Sequence, residues 1–305
     1  MSAPPANPLL PPAVQALYPF AAHYLDLDGV RMHYLDEGSG PTVVLLHGNP
    51  TWSFYYRELV LALRGEYRVI VPDHIGCGLS DKPQDYPYRL ATHVANLERL
   101  LTHLNVGPLT LGVHDWGGPI GLGYAARHRE ALERLVVFNT TCHLTRDYPW
   151  RILVCKLPLL GALGVRGLNG FVLAAQRLAV CQRAPLAPSV RAGYLLPYDT
   201  YAHRVAVHRF VQDIPLGPGH PTWATGQEIL ANLDWLRHKP TLICWGARDF
   251  CFTDRFLAQW RQRLPQARVH VFPAAGHYVV EDAAPEIIPL LREFLHEPDV
   301  PTVVG

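Results

Sequence analysis

Short apolar runs recur along the chain and predict the strands of a buried sheet. Each run is four to six residues long, rich in β-branched or aliphatic residues, and bounded by Gly, Pro, Asp or Asn. This pattern is typical of strands that are covered on both faces. The runs are 43–46, 68–71, 109–113, 134–138, 241–245 and 268–272.

Longer segments with helical spacing of their apolar positions lie between these runs, at 88–104, 119–128 and 253–264. Because strands and helices alternate, we expect an α/β fold with a mostly parallel sheet flanked by helices. Two earlier runs, 23–27 and 31–35, flank an Asp-Gly pair and predict a hairpin that adds antiparallel strands at one edge. The pattern therefore predicts eight strands in one sheet.

One long stretch, 141–215, breaks the alternation, since it is helical and apolar and has no convincing strand. We interpret it as a helical cap inserted between two core strands. The predicted organisation is an N-terminal arm at 1–22, a core at 23–140 and 216–298, the cap at 141–215 and a C-terminal tail at 299–305. The first dozen residues are rich in proline, and we expect them to be loose.

The predicted cap is basic as well as apolar. It contains nine Lys or Arg and three Asp, a net charge of +6, so the rest of the chain carries −5 for a total of +1. Such a cap indicates a cover over a site for an apolar substrate, or a surface that docks against another protein. The alternative is a cap whose arginines are merely solvated.

Composition excludes several classes of function. Hydrophobic residues make up 49% and charged residues 17% of the 305 residues, which is typical of a globular chain and not of a disordered one. The charge is almost balanced, and no run of basic residues is interleaved with aromatic ones, so we expect no binding to nucleic acid.

The expected lack of an export signal and the spacing of the cysteines favour a cytoplasmic location. The proline-rich N-terminus has no positive region before an apolar stretch, so we expect no export signal. Six cysteines are scattered without CxxC spacing, which suits reduced thiols and makes a structural zinc site unexpected. The most apolar stretch, 152–180, is interrupted by charged residues and proline, so we expect no transmembrane segment.

Cofactor motifs do not occur in the sequence. No GxGxxG follows a strand, no phosphate-binding Gly-Lys loop is present, and no histidine-carboxylate cluster indicates a metal. We therefore expect cofactor-free chemistry without a metal.

The residues that follow the predicted strands carry the candidate chemistry, because ligands of parallel sheets bind beyond the carboxyl ends of the strands. After the strand at 109–113 comes His-Asp-Trp-Gly-Gly, with Asp115 at its centre. Small residues around one reactive residue predict a sharp strand-turn-helix elbow. A carboxylate there is ionised and attacks an electrophilic carbon to give a covalent ester. The alternative is an aspartate that caps the helix.

A second turn, His-Gly-Asn-Pro at 47–50, follows the strand at 43–46, where an oxyanion hole is expected. The amide of Asn49 and the indole N–H of Trp116 could both donate to an anion there. Alternatively, Asn-Pro is an ordinary turn dipeptide and Trp116 is a packing residue.

Two late loops supply a base and an acid. His277 follows the last strand and occupies the place expected of a general base, and Asp249 follows the strand before it. A carboxylate on that neighbouring loop would hold the imidazole and stabilise its cation. The chain order is nucleophile, acid, histidine.

Five segments together resemble the haloalkane dehalogenase branch of the α/β-hydrolases over residues 23–298. They are HGNPTWSFYYREL (47–59), PDHIGCGLSDKP (72–83), VHDWGGPIGLGYA (113–125), WGARDFCF (245–252) and GHYVVED (276–282). The resemblance implies Asp115 as nucleophile, His277 as base, Asp249 as acid, and Asn49 with Trp116 as the halide-binding pair. Some relatives carry their acid as a Glu after the strand before the cap, where this chain has Asn139.

A finer resemblance lies in the cap segment GYLLPYDTYAHRVAVHRFVQDIPL (193–216) and in HGNPTWSFYYR. Both are similar to the OleB-type β-lactone decarboxylases of bacterial long-chain olefin biosynthesis. The resemblance implies conversion of a cis-3,4-dialkyl-oxetan-2-one to a cis-olefin and carbon dioxide, and an assembly with a β-lactone synthetase and a reductase. The alternative is a haloalkane dehalogenase that hydrolyses an alkyl-aspartyl ester.

Three further alternatives are open at this point. Epoxide hydrolases share HGxP and HDWGG and use two cap tyrosines, for which Tyr194, Tyr198 and Tyr201 are available, although Asn49 argues against them. Fluoroacetate dehalogenases typically place Arg where this chain has Trp116. The fold could also serve as a non-catalytic module that binds a hydrophobic ligand.

Overall fold

Eight strands form one sheet in the computed structural model, which describes residues 10–146, 148–181 and 186–298. The strands are β1 (His23–Asp26), β2 (Arg31–Glu37), β3 (Thr42–Leu46), β4 (Arg68–Pro72), β5 (Leu109–His114), β6 (Leu132–Phe138), β7 (Thr241–Gly246) and β8 (Arg268–Phe272). Their order is β1-β2-β4-β3-β5-β6-β7-β8. The pairs β1–β2 and β2–β4 are antiparallel and the others are parallel, so the predicted α/β fold and edge hairpin are confirmed.

Helices lie between and around these strands. They are α1 (Pro12–Gln15), α2 (Arg57–Leu63), α3 (Leu90–His103), α4 (Gly117–Arg127), α5 (Trp150–Val154), α6 (Leu160–Ala162), α7 (Gly170–Leu178), α8 (Pro188–Leu195), α9 (Val205–Asp213), α10 (Pro221–Ala231), α11 (Asp254–Arg263) and α12 (Val279–His296). A π-helical turn spans Leu163–Gly167, and short 3-10 turns span Ser53–Tyr56, Arg129–Ala131, Leu196–Tyr198, Ala202–Arg204 and Asp234–His238.

Strand β2 extends two residues beyond its predicted end because its polar residues find partners. Asp36 pairs across the sheet edge with Arg68 through two hydrogen bonds of 2.8 and 2.7 Å. Glu37 accepts a hydrogen bond of 3.1 Å from Arg64. Paired carboxylates can continue an edge strand that an apolar pattern would end.

The centre of the sheet is buried on both faces. Every residue of β5 is buried, and so are four of the five residues of β3. One cluster of buried side chains packs with α3, α4 and α10 on one face, and a second packs with α2 and α12 on the other. The carboxyl ends of β3 and β5 are therefore held rigidly, which fixes the turns that follow them.

The predicted N-terminal arm packs on the core from residue 10 onward, so the expectation that the first dozen residues are loose is wrong at Leu10. Leu10, Val14, Tyr18 and Phe20 are all buried against the core. The hydroxyl of Tyr18 also forms a 2.6 Å hydrogen bond with Ser53. Residues 1–9, which hold three of the six prolines of the arm, and the tail at 299–305 are outside the described residues.

Between β6 and β7, the described residues form helices and turns and no strand. Three hydrogen bonds join this segment to the turn after β3. Asn49 Nδ2 donates to Val207 O at 3.1 Å, Trp52 Nε1 donates to Gly193 O at 3.0 Å, and the carbonyl of residue 51 accepts from Tyr198 Oη at 3.2 Å. The helical segment therefore docks directly on the predicted oxyanion turn.

A buried ion pair adds a second attachment. Arg57 of α2 donates two 2.8 Å hydrogen bonds to Glu281 of α12, and Tyr194 of α8 donates to the same carboxylate at 2.7 Å. Burial lowers the pKa of Arg57, but Glu281 outweighs that effect and raises it overall. Among the described residues, no helix has the length and hydropathy needed to cross a membrane.

Candidate active site

Asp115 lies at the elbow between β5 and α4 and has a left-handed backbone with φ of +50°. The two glycines after Trp116 make this turn possible. A Cβ on Gly117 would lie 2.1 Å from the carbonyl oxygen of Leu46, and a Cβ on Gly118 would lie 2.0 Å from Thr140 Oγ1. The start of α4 can therefore approach β3 and β6 closely only when both positions are glycine.

The carboxylate of Asp115 is held by backbone N–H groups and does not cap α4. Its Oδ1 accepts a 2.7 Å hydrogen bond from Asn49 N, and the Trp116 N–H also donates to the carboxylate. Burial raises the pKa of Asp115, and His277 and these two N–H donors oppose the rise. The helix-cap alternative is thereby excluded, and Oδ2 is left facing His277 at 3.9 Å.

His277 lies between Asp115, the predicted nucleophile, and Asp249, the predicted acid. Its Nδ1 lies 2.8 Å from Asp249 Oδ2, and its Nε2 is the atom that faces Asp115. Burial lowers the pKa of His277, but Asp249 and Asp115 outweigh burial, so the pKa is raised from its ordinary value of 6.5. The structure thus brings together all three residues predicted to form the triad.

The side chain of Asp249 is buried, and both of its carboxylate oxygens accept hydrogen bonds from donors of the protein. Oδ1 accepts from the backbone N–H groups of Cys251 at 2.6 Å and Phe252 at 3.0 Å. Oδ2 accepts from Asn139 Nδ2 at 2.9 Å as well as from His277. Asp249 can therefore orient the imidazole but cannot attack a substrate.

Asn139 contacts the predicted acid, whereas sequence reasoning treated it only as the absence of a glutamate. Its amide bridges β6 and β7, because Oδ1 accepts from Gly246 N at 2.7 Å and Nδ2 donates to Gly246 O at 3.1 Å. The same Nδ2 reaches Asp249. One feature of the sequence could have indicated this contact. Asn139 follows β6, and Asp249 follows β7, the parallel strand beside it.

Two buried histidines behind the oxyanion turn were also missed. The backbone N–H of His74 donates to His47 Nε2 at 3.1 Å, so Nδ1 of His47 carries the proton and donates to Gly48 O at 2.8 Å. Burial lowers the pKa of His47 and, more strongly, that of His74. Neutral imidazoles therefore fix the turn that presents the Asn49 N–H to Asp115.

The predicted anion-binding pair lies on the wall of the same cavity as Asp115. Trp116 packs against Phe210 with ring centroids 5.3 Å apart, and its indole N–H forms no hydrogen bond with another described residue. Asn49 uses one amide hydrogen for Val207 O and keeps the other. The pair can therefore supply two neutral donors, one of them partly engaged by the cap.

The cavity above Asp115 has a volume of about 320 Å³ and a wall that is mostly hydrocarbon. Apolar wall residues come from both the core and the predicted cap; they include Leu90, Leu122, Ile152, Val165, Phe171, Ala174, Ala175, Leu178, Val211, Ile214, Ile229, Leu230, Phe250 and Phe252. Such a wall binds alkyl chains and keeps water scarce at the carboxylate.

The three tyrosines available for an epoxide hydrolase do not line this cavity. Tyr194 donates to Glu281 and Tyr198 to the carbonyl of residue 51, while Tyr201 is 52% exposed. In the described part of the chain, no three His, Cys, Asp or Glu side chains converge as a metal site.

Comparisons with known proteins agree with this geometry. The family model described as alpha/beta hydrolase fold matches residues 41–154 and 174–284. A cis-3-alkyl-4-alkyloxetan-2-one decarboxylase of Shewanella oneidensis is 47% identical over 93% of this chain and 91% of its own length. A haloalkane dehalogenase of Mycobacterium marinum is 37% identical over 88% of this chain and 92% of its own.

A crystal structure of a haloalkane dehalogenase from Agrobacterium tumefaciens is 26% identical, with a TM-score of 0.81 over 90% of this chain and 96% of that one. The strand order, the nucleophile elbow with its triad, and these similarities lead to the same assignment. The chain belongs to the α/β-hydrolase family, in the branch that contains the cis-3-alkyl-4-alkyloxetan-2-one decarboxylases and the haloalkane dehalogenases.

Proposed function

We propose that the chain is a β-lactone decarboxylase that converts a cis-3-alkyl-4-alkyloxetan-2-one to a cis-olefin and carbon dioxide. The observation that carries the proposal is a single free carboxylate oxygen, that of Asp115, at the floor of an apolar cavity beside two neutral N–H donors. The 47% identity to a decarboxylase against 37% to a dehalogenase supports the same substrate class.

Asp115 would act by two displacements that regenerate it. Oδ2 attacks ring carbon 4, a bond to that carbon forms, and the bond from carbon 4 to the ring oxygen breaks, which releases ring strain and leaves a carboxylate. That carboxylate then leaves as carbon dioxide, carbon 3 and carbon 4 become doubly bonded, and the ester bond to Asp115 breaks. Inversion in the first step followed by anti elimination in the second preserves the cis arrangement of the two chains.

Asn49 and Trp116 are positioned to stabilise the carboxylate that departs from carbon 4. Neutral donors fit this role because a fixed cation would hold the carboxylate and slow its conversion to carbon dioxide. Both donors line the cavity. Among the described residues, no Lys or Arg lies within hydrogen-bonding distance of the Asp115 carboxylate.

Exclusion of water favours loss of carbon dioxide over hydrolysis. The apolar wall keeps water from the ester. In the ester Asp115 carries no charge, so Asp249 is the carboxylate that opposes the effect of burial on the pKa of His277. The apolar wall directs the intermediate toward the olefin and away from a hydroxy acid.

Haloalkane dehalogenation is the second candidate, because the same residues suit it. Asp115 would displace halide, Asn49 and Trp116 would receive the ion, and neutral His277 would activate water against the ester. Each of these groups is in place around the cavity. Epoxide hydrolysis lacks such support, because its candidate tyrosines are engaged elsewhere or exposed.

The partners and location predicted from the sequence are part of the proposal. A substrate with alkyl chains suits the apolar cavity, and the proposed partners are a β-lactone synthetase and a reductase. A cytoplasmic location is supported by the six cysteines, all of which are free thiols.

The deciding experiment compares the wild type with Asp115→Ala and with the matched control Asp254→Ala, whose exposed side chain lies at the start of α11. Each receives a cis-β-lactone and, separately, bromoalkanes. We expect rapid olefin formation and slow halide release by the wild type and the control, and loss of both in Asp115→Ala, which should remain folded. Halide and alcohol without olefin would establish the second candidate, and an active Asp115→Ala would refute the mechanism.

A further inference from the structure

The outer surface formed by the segment 150–178 carries an unusual concentration of exposed hydrophobic side chains. Of thirteen large hydrophobic residues that are exposed among the described ones, eight lie in this segment. We call them the apolar face; they are Trp150, Val154, Leu157, Leu159, Leu160, Leu163, Leu168 and Leu178. Scattered exposed leucines are normal, but so many exposed hydrophobic residues in one short segment indicate a contact surface.

The most exposed of these side chains lie on turns and on the flanks of short helices, where the chain itself offers them no burial. Leu159 is 85% exposed, Trp150 is 69% and Leu168 is 68%. Leu159 also has a left-handed backbone with φ of +61°, which is costly for a bulky residue. No described residue of the chain covers them.

Exposed basic residues accompany the apolar face. Arg151 and Arg177 are exposed, and neither has a carboxylate within ion-pair distance in the portion of the chain that is described. Arg151 instead packs 5.6 Å from the Trp150 ring centroid. The whole stretch 141–215 carries +6 in sequence while the rest of the chain carries −5, so an anionic surface would attract the exposed arginines of this stretch.

The apolar face and the cavity share residues. Leu178 and Arg151 line the cavity, and both are also exposed. Cavity residues Ile152 and Val165 lie in the same short helices and turns as Val154 and Leu163 of the apolar face. Hydrocarbon therefore continues from the outer surface into the wall above Asp115.

We propose that the apolar face rests on an anionic lipid surface, such as a bilayer leaflet, and that an alkyl-chain substrate passes from the lipid into the cavity without crossing water. Leucine and tryptophan side chains that project singly suit a fluid acyl layer, and flanking arginines suit lipid phosphates. The inference rests on the proposed function only in requiring a substrate with alkyl chains.

Flotation with vesicles tests the binding directly. The full chain is mixed with vesicles of phosphatidylcholine alone or of phosphatidylcholine with phosphatidylglycerol, at low and high salt. We expect binding to the anionic vesicles that weakens as salt rises, because screening reduces the attraction of the basic side. No flotation with either vesicle, or equal binding to both without a salt effect, would overturn the proposal.

Paired variants test the location. Leu159→Ser/Leu160→Ser removes two exposed leucines that do not line the cavity, and Arg177→Gln removes an exposed charge. The matched controls are Leu61→Ser on α2 and Arg261→Gln on α11, which are exposed elsewhere. We expect the leucine pair to weaken vesicle partitioning by at least about tenfold and the arginine change to weaken it by about threefold, with the controls unchanged. Variants that bind like the wild type would contradict the proposal.

Activity separates this inference from the proposed function. On a short-chain lactone dissolved in buffer, the leucine pair should match the wild type, while on a long-chain lactone held in anionic vesicles it should be at least about fivefold slower. Loss of olefin formation in the wild type would refute the proposed function and leave the flotation result standing. Concentration-dependent self-association that disappears in Leu159→Ser/Leu160→Ser, without flotation of the wild type, would assign the apolar face to a protein interface instead.

Discussion

Asp115 and Asp249 are both buried aspartates that face His277, and their neighbours give them different roles. Asp249 accepts hydrogen bonds from four donors, so both of its oxygens are engaged and the carboxylate can only hold the imidazole. Asp115 has one oxygen fixed by Asn49 N and the other free toward the cavity. The number of donors around each carboxylate, more than its burial, decides which one can attack.

Replacing Asn139 by alanine should lower kcat by about 10- to 100-fold, because a hydrogen bond to a charged group contributes about 1.5–3 kcal/mol. Asn139 does not line the cavity, so KM should stay nearly unchanged. Steady-state kinetics measures the two parameters, and the thermal midpoint reports any loss of fold. An unchanged kcat in Asn139→Ala would show that Asp249 needs no support from β6.

The titration of His277 predicts how pH divides the products. In the free enzyme Asp249 and Asp115 raise its pKa, and in the uncharged Asp115 ester only Asp249 opposes the effect of burial. A protonated imidazole cannot activate water, so hydrolysis of the ester should accelerate as pH rises through the pKa of His277 in that state. With bromoalkanes, alcohol release should therefore increase with pH to a plateau, and the ratio of olefin to hydroxy acid from a lactone should fall over the same range. Alcohol release that does not rise with pH, measured by product analysis, would contradict His277 as the base.

At the scale of elements, the elbow depends on how closely α4 approaches β3. The strand, the turn and the helix were each indicated by the sequence, and their ends agree with the structure within a few residues. Helix α4 begins at Gly117, two residues before its predicted start, because the elbow leads directly into the helix. An apolar pattern cannot locate that start, since the residues around it are glycines that give no periodic signal.

Gly117→Ala should destabilise the protein although alanine favours helices by about 1 kcal/mol. The new Cβ would lie 2.1 Å from a backbone oxygen, which cannot move without shifting β3. We expect a loss of about 3 kcal/mol in the free energy of unfolding, measured by urea denaturation, together with a large loss of activity. The control is Gly65→Ala, where no atom lies within 4 Å of the added carbon. Equal stability of the two variants would disprove the packing argument.

At the scale of the whole molecule, the helical segment between β6 and β7 and the core build the cavity together. Its attachments are the turn after β3 and the buried Arg57–Glu281 pair, which Tyr194 joins. Because the oxyanion turn is one of those attachments, a change in the position of the helices also moves Asn49. Substrate binding and anion stabilisation are therefore mechanically linked.

Narrowing the cavity should select against long substrates. Ala174 of α7 lines the wall, and Ala174→Phe fills part of a space of about 320 Å³. We expect kcat/KM for a long-chain lactone to fall about tenfold or more, with little change for a short-chain one, because each displaced methylene forfeits about 0.8 kcal/mol. The exposed Ala192 of α8 provides the control Ala192→Phe. Equal effects on both chain lengths would place the alkyl chains elsewhere.

The sequence by itself predicted the strands, the edge hairpin and three triad residues that the fold brings together, because these predictions depend on local periodicity and on reactive residues at strand ends. Only the tertiary structure decided which donors surround each carboxylate, that Asn49 also binds Val207, and that the candidate cap tyrosines stay outside the cavity. It likewise showed that the arm packs from Leu10 onward. These features depend on contacts between residues far apart in the chain, and no pattern along one segment encodes the distance to another.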